Sequence, residues 1–171
     1  MEYRIRPIAE GDNAGIEAII RDCLTEYGAP HEGTAWADPM LGCLSEVYQR
    51  EGDRYWVAET PEGVLLGGAG IGAMEGEDGV CELQKLYCVP AARGTGVGAA
   101  LLHRALAFAA GRYRRCNLET LENMLRARRF YEKHGFRRTE ERLGSTGHYA
   151  CPIRYILDLT VSPEGETVSL P

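Results

Sequence analysis

Residues 85–102 read KLYCVPAARGTGVGAALL: an apolar run of strand type stops at Pro90, Arg93 is followed by three alternating glycines, and an alanine- and leucine-rich segment begins. A strand that enters a helix through such a turn aims several backbone N–H groups and the positive end of a helix dipole at one point. Glycine at 94, 96 and 98 removes the Cβ atoms that would hold a ligand away, and Arg93 can add a charge-assisted bond. The segment therefore predicts an anion site, with a phosphate as its natural occupant. A glycine turn that serves only close helix–strand packing is the alternative.

With 171 residues and 44% hydrophobic content, the chain can build a core of its own. We read residues 1–160 as a single domain and 161–171, VSPEGETVSLP, as a flexible tail, with T160 as the last residue of the domain. No run of 18 apolar residues occurs, and the opening MEYRIRPIAEGDN lacks the apolar stretch of a signal peptide. A cytoplasmic protein without membrane contact is expected. The six cysteines, Cys23, Cys43, Cys81, Cys88, Cys116 and Cys151, form no CxxC pair and no Cys/His cluster at metal spacing, so reduced, mainly buried thiols and no metal are expected. Net charge is −6, yet residues 1–90 hold 6 Lys+Arg against 17 Asp+Glu while residues 91–171 hold 13 against 8. Such asymmetry fits a site that takes an anionic cofactor on one side and a cationic substrate on the other. Without a basic tract interleaved with aromatics, nucleic acid is not an expected partner.

Alternation marks EYRIRPI as a first strand, and Ile16, Ile19, Ile20, Cys23 and Leu24 show helical spacing, with Gly28 as a stop. DPMLGCLSEVYQRE predicts a second helix with Asp38 at its N-cap and Pro39 at its first position. RYWVAET, VLLGGAGIGAM and VCELQKLYCV, separated by PEG and EGEDG, predict an antiparallel meander. A helix over 96–112 with Val97, Leu101, Ala105 and Phe108 inward follows, then the strand RRCNLET and the helix ENMLRARRFYEKHGF, closed by Gly135. Strands near 137–141 and 153–160 complete an α/β (α+β type) pattern of six to seven strands and about four helices.

The segment GTGVGA also satisfies the dinucleotide pattern G-x-G-x-x-G/A, with Glu119 about 20 residues further on, which raises an NAD(P)-dependent oxidoreductase as one reading. Its context differs, because PAAR separates the glycines from the strand and two helices and a meander come first. The order of elements is better matched by another family. RGTGVG at Arg93–Gly98, preceded by LYCVP, resembles the acetyl-CoA motif Arg/Gln-x-x-Gly-x-Gly/Ala of the GNAT acetyltransferase superfamily, and NLETLENMLRARRFYEKHGF resembles its following block of strand, helix and closing GF. Together these cover about a third of the chain.

The resemblance implies an acetyl-CoA-dependent N-acetyltransferase that acts on a primary amine, a mixed, mainly antiparallel central sheet of six to seven strands flanked by about four helices and splayed at its fourth and fifth strands, and often a homodimer. It implies that backbone amides of Arg93, Gly94, Thr95, Gly96, Val97 and Gly98 hold the coenzyme A pyrophosphate. It also implies that backbone groups of Leu86, Tyr87 and Cys88 take the pantetheine arm like an added strand. Glu82 corresponds to a general base in several members, and period two in a strand points Glu82, Gln84, Leu86 and Cys88 to one face. An exposed Glu82, or one paired with Lys85 or an arginine, is the structural alternative. Glu119 is the second candidate base, or else a partner for the helix that follows. Tyr131 matches the tyrosine that protonates the coenzyme A thiolate in many members; a core tyrosine with a satisfied hydroxyl is its alternative. The family's asparagine near the start of that helix falls on Met124, and Asn123 lies about 100° round the helix from it. His148, Tyr149 and Cys151, with His31 and Glu32 as weaker candidates, would wall an acceptor pocket between PHEGTAWADP and TGHYACP. A non-catalytic acyl-CoA-binding module would carry the same glycine turn without a working base.

Overall fold

The strand-type segments become β1 (Arg4–Pro7), β2 (Arg54–Glu59), β3 (Leu65–Ala73), β4 (Val80–Cys88), β5 (Arg115–Thr120), β6 (Arg137–Thr139) and β7 (Ile153–Asp158). The helices are α1 (Asn13–Glu26), α2 (Leu44–Val47), α3 (Val97–Ala110) and α4 (Leu125–Lys133). The computed structural model describes residues 1–144 and 150–160, so the expected tail at 161–171 lies outside the described residues. Among the described residues the seven strands join one mixed sheet in the order β1-β2-β3-β4-β5-β7-β6, which agrees with the expected six to seven strands.

Neighbouring strands are antiparallel except β4 and β5, which run parallel with α3 as the crossover that such a pair requires. Their pairing is short: Val80 with Arg115, Cys81 with Cys116, Glu82 with Asn117. Beyond Glu82 and Asn117 the two strands part, and β4 continues to Cys88 with β3 on one side alone. The sheet is therefore splayed at the fourth and fifth strands.

Apolar side chains cover both faces. Trp56, Ile71, Leu83 and Leu118 pack with Leu101 and Leu102 of α3 on one side, while Tyr55 and Val57 pack with Ile16, Ile20 and Leu24 of α1 and Leu44 of α2 on the other. Val97, Leu101 and Ala105 of α3 are fully buried, as their spacing predicts, but Phe108 is only partly so. Its ring meets Trp56 edge-on at 5.2 Å, and the Arg112 guanidinium lies 4.0 Å above it.

The expected second helix is a correction. Asp38 caps no helix: its carboxylate pairs with Lys85 at 2.8 Å and accepts from the Met40 N–H, so the chain makes one 3₁₀ turn at Leu41–Cys43 before the four-residue α2. Asn13 ties that segment to α1, accepting from the Ser45 N–H at 2.9 Å and donating to its hydroxyl at 2.8 Å.

The glycines of GGAGIGAM are placed by close approach. On β3, a Cβ at Gly68 would stand 2.5 Å from the Tyr55 ring, one at Gly70 2.9 Å from Tyr48, and one at Gly72 2.8 Å from the Gln84 amide oxygen. Opposite them, β4 bulges: Gly70 faces Gln84 and Gly68 faces Tyr87, so β4 spends one more residue than β3 over this interval. Lys85 takes up the excess with φ 51°, and the Tyr55 hydroxyl donates to its carbonyl at 2.9 Å. The bulge overturns the period-two expectation for β4. Glu82, Gln84 and Tyr87 face α1, whereas Leu86 and Cys88 turn to the α3 side with Leu83.

If the glycine bed is a packing requirement, Gly68→Ala should lower the urea midpoint by the equivalent of about 1–3 kcal/mol, because an added methyl overfills the space beside Tyr55. Gly111→Ala, at the end of α3 with φ −80° and nothing within 4 Å of a Cβ, should leave the midpoint unchanged or raise it slightly. Equal midpoints for the two variants would contradict the packing account.

Candidate active site

Where β4 and β5 part, a cleft of about 870 Å³ opens, bounded by the end of α1, the start of α3 and the inner face of α4. Glu82, Glu119, Tyr131 of α4 and the glycines Gly94, Gly96 and Gly98 all line it. The fold thus brings together the candidate base, acid and anion turn from four separate segments.

Val97 opens α3 and is fully buried, which pins the helix start against the sheet. Gly96 before it has φ 97°, a conformation that favours glycine. Helix geometry leaves the first N–H groups of α3 without intrahelical acceptors; the first such bond runs from the Ala100 N–H to the Gly96 carbonyl. Gly98 has an ordinary backbone, and a Cβ there would meet only Cys88 Sγ at 3.8 Å, an ordinary contact. Protein packing does not demand glycine at 98, so the open space above its backbone fits a ligand that comes close. A pyrophosphate suits these donors.

Two expected partners are already engaged. The Arg93 guanidinium makes a two-pronged ion pair with Glu26 at 2.8 and 2.7 Å, and its Nε donates to the Cys88 carbonyl at 3.2 Å. The Arg93 and Thr95 N–H groups are spent as well, on the Pro90 and Ala92 carbonyls at 3.2 and 3.3 Å, which corrects the expectation that all six amides face a ligand. The donors left at this turn are the backbone groups of Gly94, Gly96, Val97 and Gly98, with the Arg93 side chain locking the turn to α1. Thr95 Oγ1 donates to the Ala92 carbonyl, which closes the turn from inside. Leu86 and Tyr87 lie on the stretch of β4 left unpaired on its β5 side; at Cys88 the carbonyl already accepts from Arg93. Asn123 donates to the Tyr27 carbonyl at 2.8 Å, joining the start of α4 to the end of α1.

Glu82 is 5% exposed, and burial pushes its carboxyl up to about 7. The Gln84 amide, donating to Glu82 Oε2 at 2.7 Å, opposes that rise, nearby Glu119 adds to it, and Lys85 subtracts. Lys85 is not its partner, as the sequence allowed, because the bulge sends that side chain to Asp38. Glu119 pairs with Arg154 across the β5–β7 ladder at 3.3 Å. Beside Glu82 in the register stands Asn117, 1% exposed, whose side-chain oxygen has no hydrogen-bond partner among the described residues. Sequence reading missed Asn117; its only signal was a polar residue two places before Glu119 on the same face.

Tyr131 is 8% exposed, packs against Phe130, Phe136 and Tyr155, and makes no hydrogen bond through its hydroxyl among the described residues. Burial pushes the phenol above its ordinary range, so it keeps its proton. His31 and Glu32 are exposed, with His31 Nδ1 on the Glu32 carbonyl, and neither lines the cleft; Thr34 and Ala35 of that loop do. His148 and Tyr149 lie outside the described residues, while Cys151 beyond them reaches the cleft. All six cysteines are free, and no group of three metal-ligating side chains occurs among the described residues.

A carboxyl that ionises near 7 when folded and near 4.5 when unfolded binds more protons in the native state between those values. Stability should therefore fall as pH rises from about 4.5 to 7, by up to about 3 kcal/mol. In Glu82→Gln that part of the pH dependence should vanish, as thermal melts at pH 4.5 and 7 of both proteins would reveal; identical slopes would contradict the buried carboxyl.

The fold and the order of its elements have counterparts among known proteins. Residues 51–138 match the acetyltransferase (GNAT) domain. The chain is 39% identical over 158 residues to the uncharacterized N-acetyltransferase YjgM of Escherichia coli (strain K12), spanning 91% of this chain and 94% of that protein. It is 43% identical over 135 residues to a mycothiol acetyltransferase of Kineococcus radiotolerans, of which it spans 42%. In three dimensions it is similar to a GNAT-family acetyltransferase from Staphylococcus aureus Mu50, with a TM-score of 0.80, 18% identity and coverage of 92% of this chain and 99% of that one. The PaiA N-acetyltransferase of Thermoplasma acidophilum, solved in complex with coenzyme A, gives a TM-score of 0.71 at 16% identity, with 92% and 99% covered. An oxidoreductase built on GTGVGA has no support in a sheet whose parallel part is three residue pairs long. This chain is an acyltransferase and belongs to the GNAT acetyltransferase family.

Proposed function

We propose that this acyltransferase moves the acetyl group of acetyl-CoA directly to the primary amine of a small molecule or peptide. The observation that carries the reading is Glu82, a buried carboxyl near 7 set at the parting of two strands, in a cleft that ends on the glycine turn of α3. A group poised near neutral pH can accept a proton from an ammonium and pass it on, which the usual carboxylate does poorly.

Acetyl-CoA supplies a thioester whose acetyl carbon is open to attack. The amides of Gly94, Gly96, Val97 and Gly98 hold its pyrophosphate, and the unpaired side of β4 at Leu86–Cys88 takes its arm by backbone pairing. Glu82 takes the proton from the acceptor nitrogen. Tyr131, protonated and without a partner for its hydroxyl among the described residues, holds a proton for the coenzyme A sulfur. We assign the base to Glu82 over Glu119 because Glu119 is in an ion pair with Arg154. The acceptor enters on the α1 side, past Thr34 and Cys151. We further propose a cytoplasmic setting and a homodimer, with no nucleic-acid or membrane partner; among the described residues no helix is long and apolar enough to cross a membrane.

A thermal-shift comparison of acetyl-CoA, coenzyme A and NAD(H) at equal concentrations tests the reading. A ligand present at 100 times its dissociation constant raises stability by about 2.7 kcal/mol. Preference for NAD(H) would overturn the proposal, and a shift with acetyl-CoA without acetylation of any amine in a broad panel would make the chain a binding module.

Gly98→Val should abolish the acetyl-CoA shift in a folded protein, since its backbone tolerates a side chain and the ligand does not. Gly96→Val is the less clean variant, because valine resists φ 97° with or without ligand. Glu82→Gln and Tyr131→Phe should keep the acetyl-CoA shift and lower turnover by about 10²–10⁴-fold. The loss in Glu82→Gln should shrink at alkaline pH, where more acceptor is already neutral. Unchanged turnover in either variant would remove that residue from the mechanism.

A further inference from the structure

On the α1 face of the sheet the side chains of Tyr48, Gln84 and Glu82 form one hydrogen-bonded line. The Tyr48 hydroxyl donates to Gln84 Oε1 at 2.7 Å, and Gln84 Nε2 donates to Glu82 Oε2 at 2.7 Å. The line lies over the glycines of β3. A Cβ on Gly70 would stand 2.9 Å from the Tyr48 ring and one on Gly72 2.8 Å from Gln84 Oε1, so side chains at either position would occupy the space that the line fills. Tyr48 belongs to neither strand: it follows α2, 4% exposed, and packs at a tilt against Tyr55 with ring centroids 5.2 Å apart.

We infer that Gln84 is the positioning residue that lets Glu82 ionise while buried, and that Tyr48 acts through Gln84 by fixing which end of its amide faces the carboxylate. A side-chain amide has a donor end and an acceptor end. With Oε1 held by Tyr48, the donor end is left for Glu82, and a donor to a carboxylate favours its charged form. Tyr48 stays protonated to serve as that donor, because burial first, and then the charges of Glu82, Asp38 and Asp53, push its phenol well above the ordinary range. The other titratable groups bearing on Glu82 come from β4, β5, β7 and the chain before β7. They are Lys85, paired with Asp38; Glu119, paired with Arg154; and the thiols of Cys116 and Cys151. None of them hydrogen-bonds to Gln84 among the described residues, so changing Gln84 removes one identified donor and leaves the rest of the surroundings in place.

The test measures Glu82 directly, apart from the reading of Glu82 as the base. The protein is labelled with carbon-13 at the glutamate carboxyls, and the Glu82 signal is identified by its loss in Glu82→Gln. Its titration is followed in wild type, Tyr48→Phe, Gln84→Met and the double variant, each checked for an intact thermal transition. Gln84→Met, which keeps length and cannot donate, should raise the midpoint by about one unit, and Tyr48→Phe should raise it by less. The double variant should match Gln84→Met alone, since Tyr48 works through Gln84. In acetyl transfer the acid limb of kcat/KM should move to higher pH by the same amount, an about tenfold loss below the limb that is recovered above it. An unmoved Glu82 titration in Gln84→Met overturns the inference, and a Tyr48→Phe shift that adds to that of Gln84→Met overturns the role of Tyr48. If the titration moves and the kinetic limb does not, the inference stands and Glu82 is not the base.

Discussion

A hydrogen bond from the Tyr55 hydroxyl to the Lys85 carbonyl holds the irregularity that decides which side of the sheet each side chain of β4 takes beside the cleft. Without the bulge, β4 would continue in register and keep Glu82 and Leu86 on one face. With it, the strand switches faces at Lys85, so Tyr87 joins Glu82 and Gln84 while Leu86 and Cys88 turn towards α3. Tyr55 can reach that carbonyl because glycine stands beneath it at 68 and 70. The 2.8 Å ion pair between Lys85 and Asp38 fastens the same residue from its other end, and Asp38 is thereby withdrawn from the helix cap that its sequence position suggests.

The parts of the fold legible in the sequence were those governed by local chemistry. Ile16, Ile20, Cys23 and Leu24 announced α1 because one buried face imposes its spacing on the chain, and Gly135, at φ 89°, ended α4 because few other residues take that conformation. The turn before α3 was legible because Gly94 and Gly96 carry its signal themselves, at φ 79° and 97°. What escaped was set by long-range contact. The face switch in β4 is invisible in VCELQKLYCV, since the residues that enforce it lie on β2 and β3. The fate of Arg93 is equally hidden: Glu26, 67 residues away, takes its guanidinium. Asn117 looked like any polar strand residue until its partner across the sheet proved to be Glu82.

Charge shows the same division. The excess of acid in the first half of the chain suggested an open negative field, yet the carboxylates near the cleft are largely engaged by cations: Glu26 by Arg93, Glu119 by Arg154, Asp38 by Lys85. Glu82 differs, being held by a neutral amide. That difference is why burial raises it toward neutral pH, while a neighbouring guanidinium holds Glu26 below the usual carboxylate range.

The short β4–β5 ladder makes the sheet mechanically two plates. One carries β1 to β4, the other β5 to β7, and three residue pairs form the seam between them. Glu82 and Asn117 sit at the end of that seam, close to the axis about which the plates would rock. Leu86 and Tyr87 lie out along the open arm. A small rotation therefore changes the gap at the far end of the wedge by more than it changes the spacing at the carboxyl. In such a lever the gap beside Leu86 and Tyr87 would widen while the apex at Glu82 and Asn117 stays nearly still.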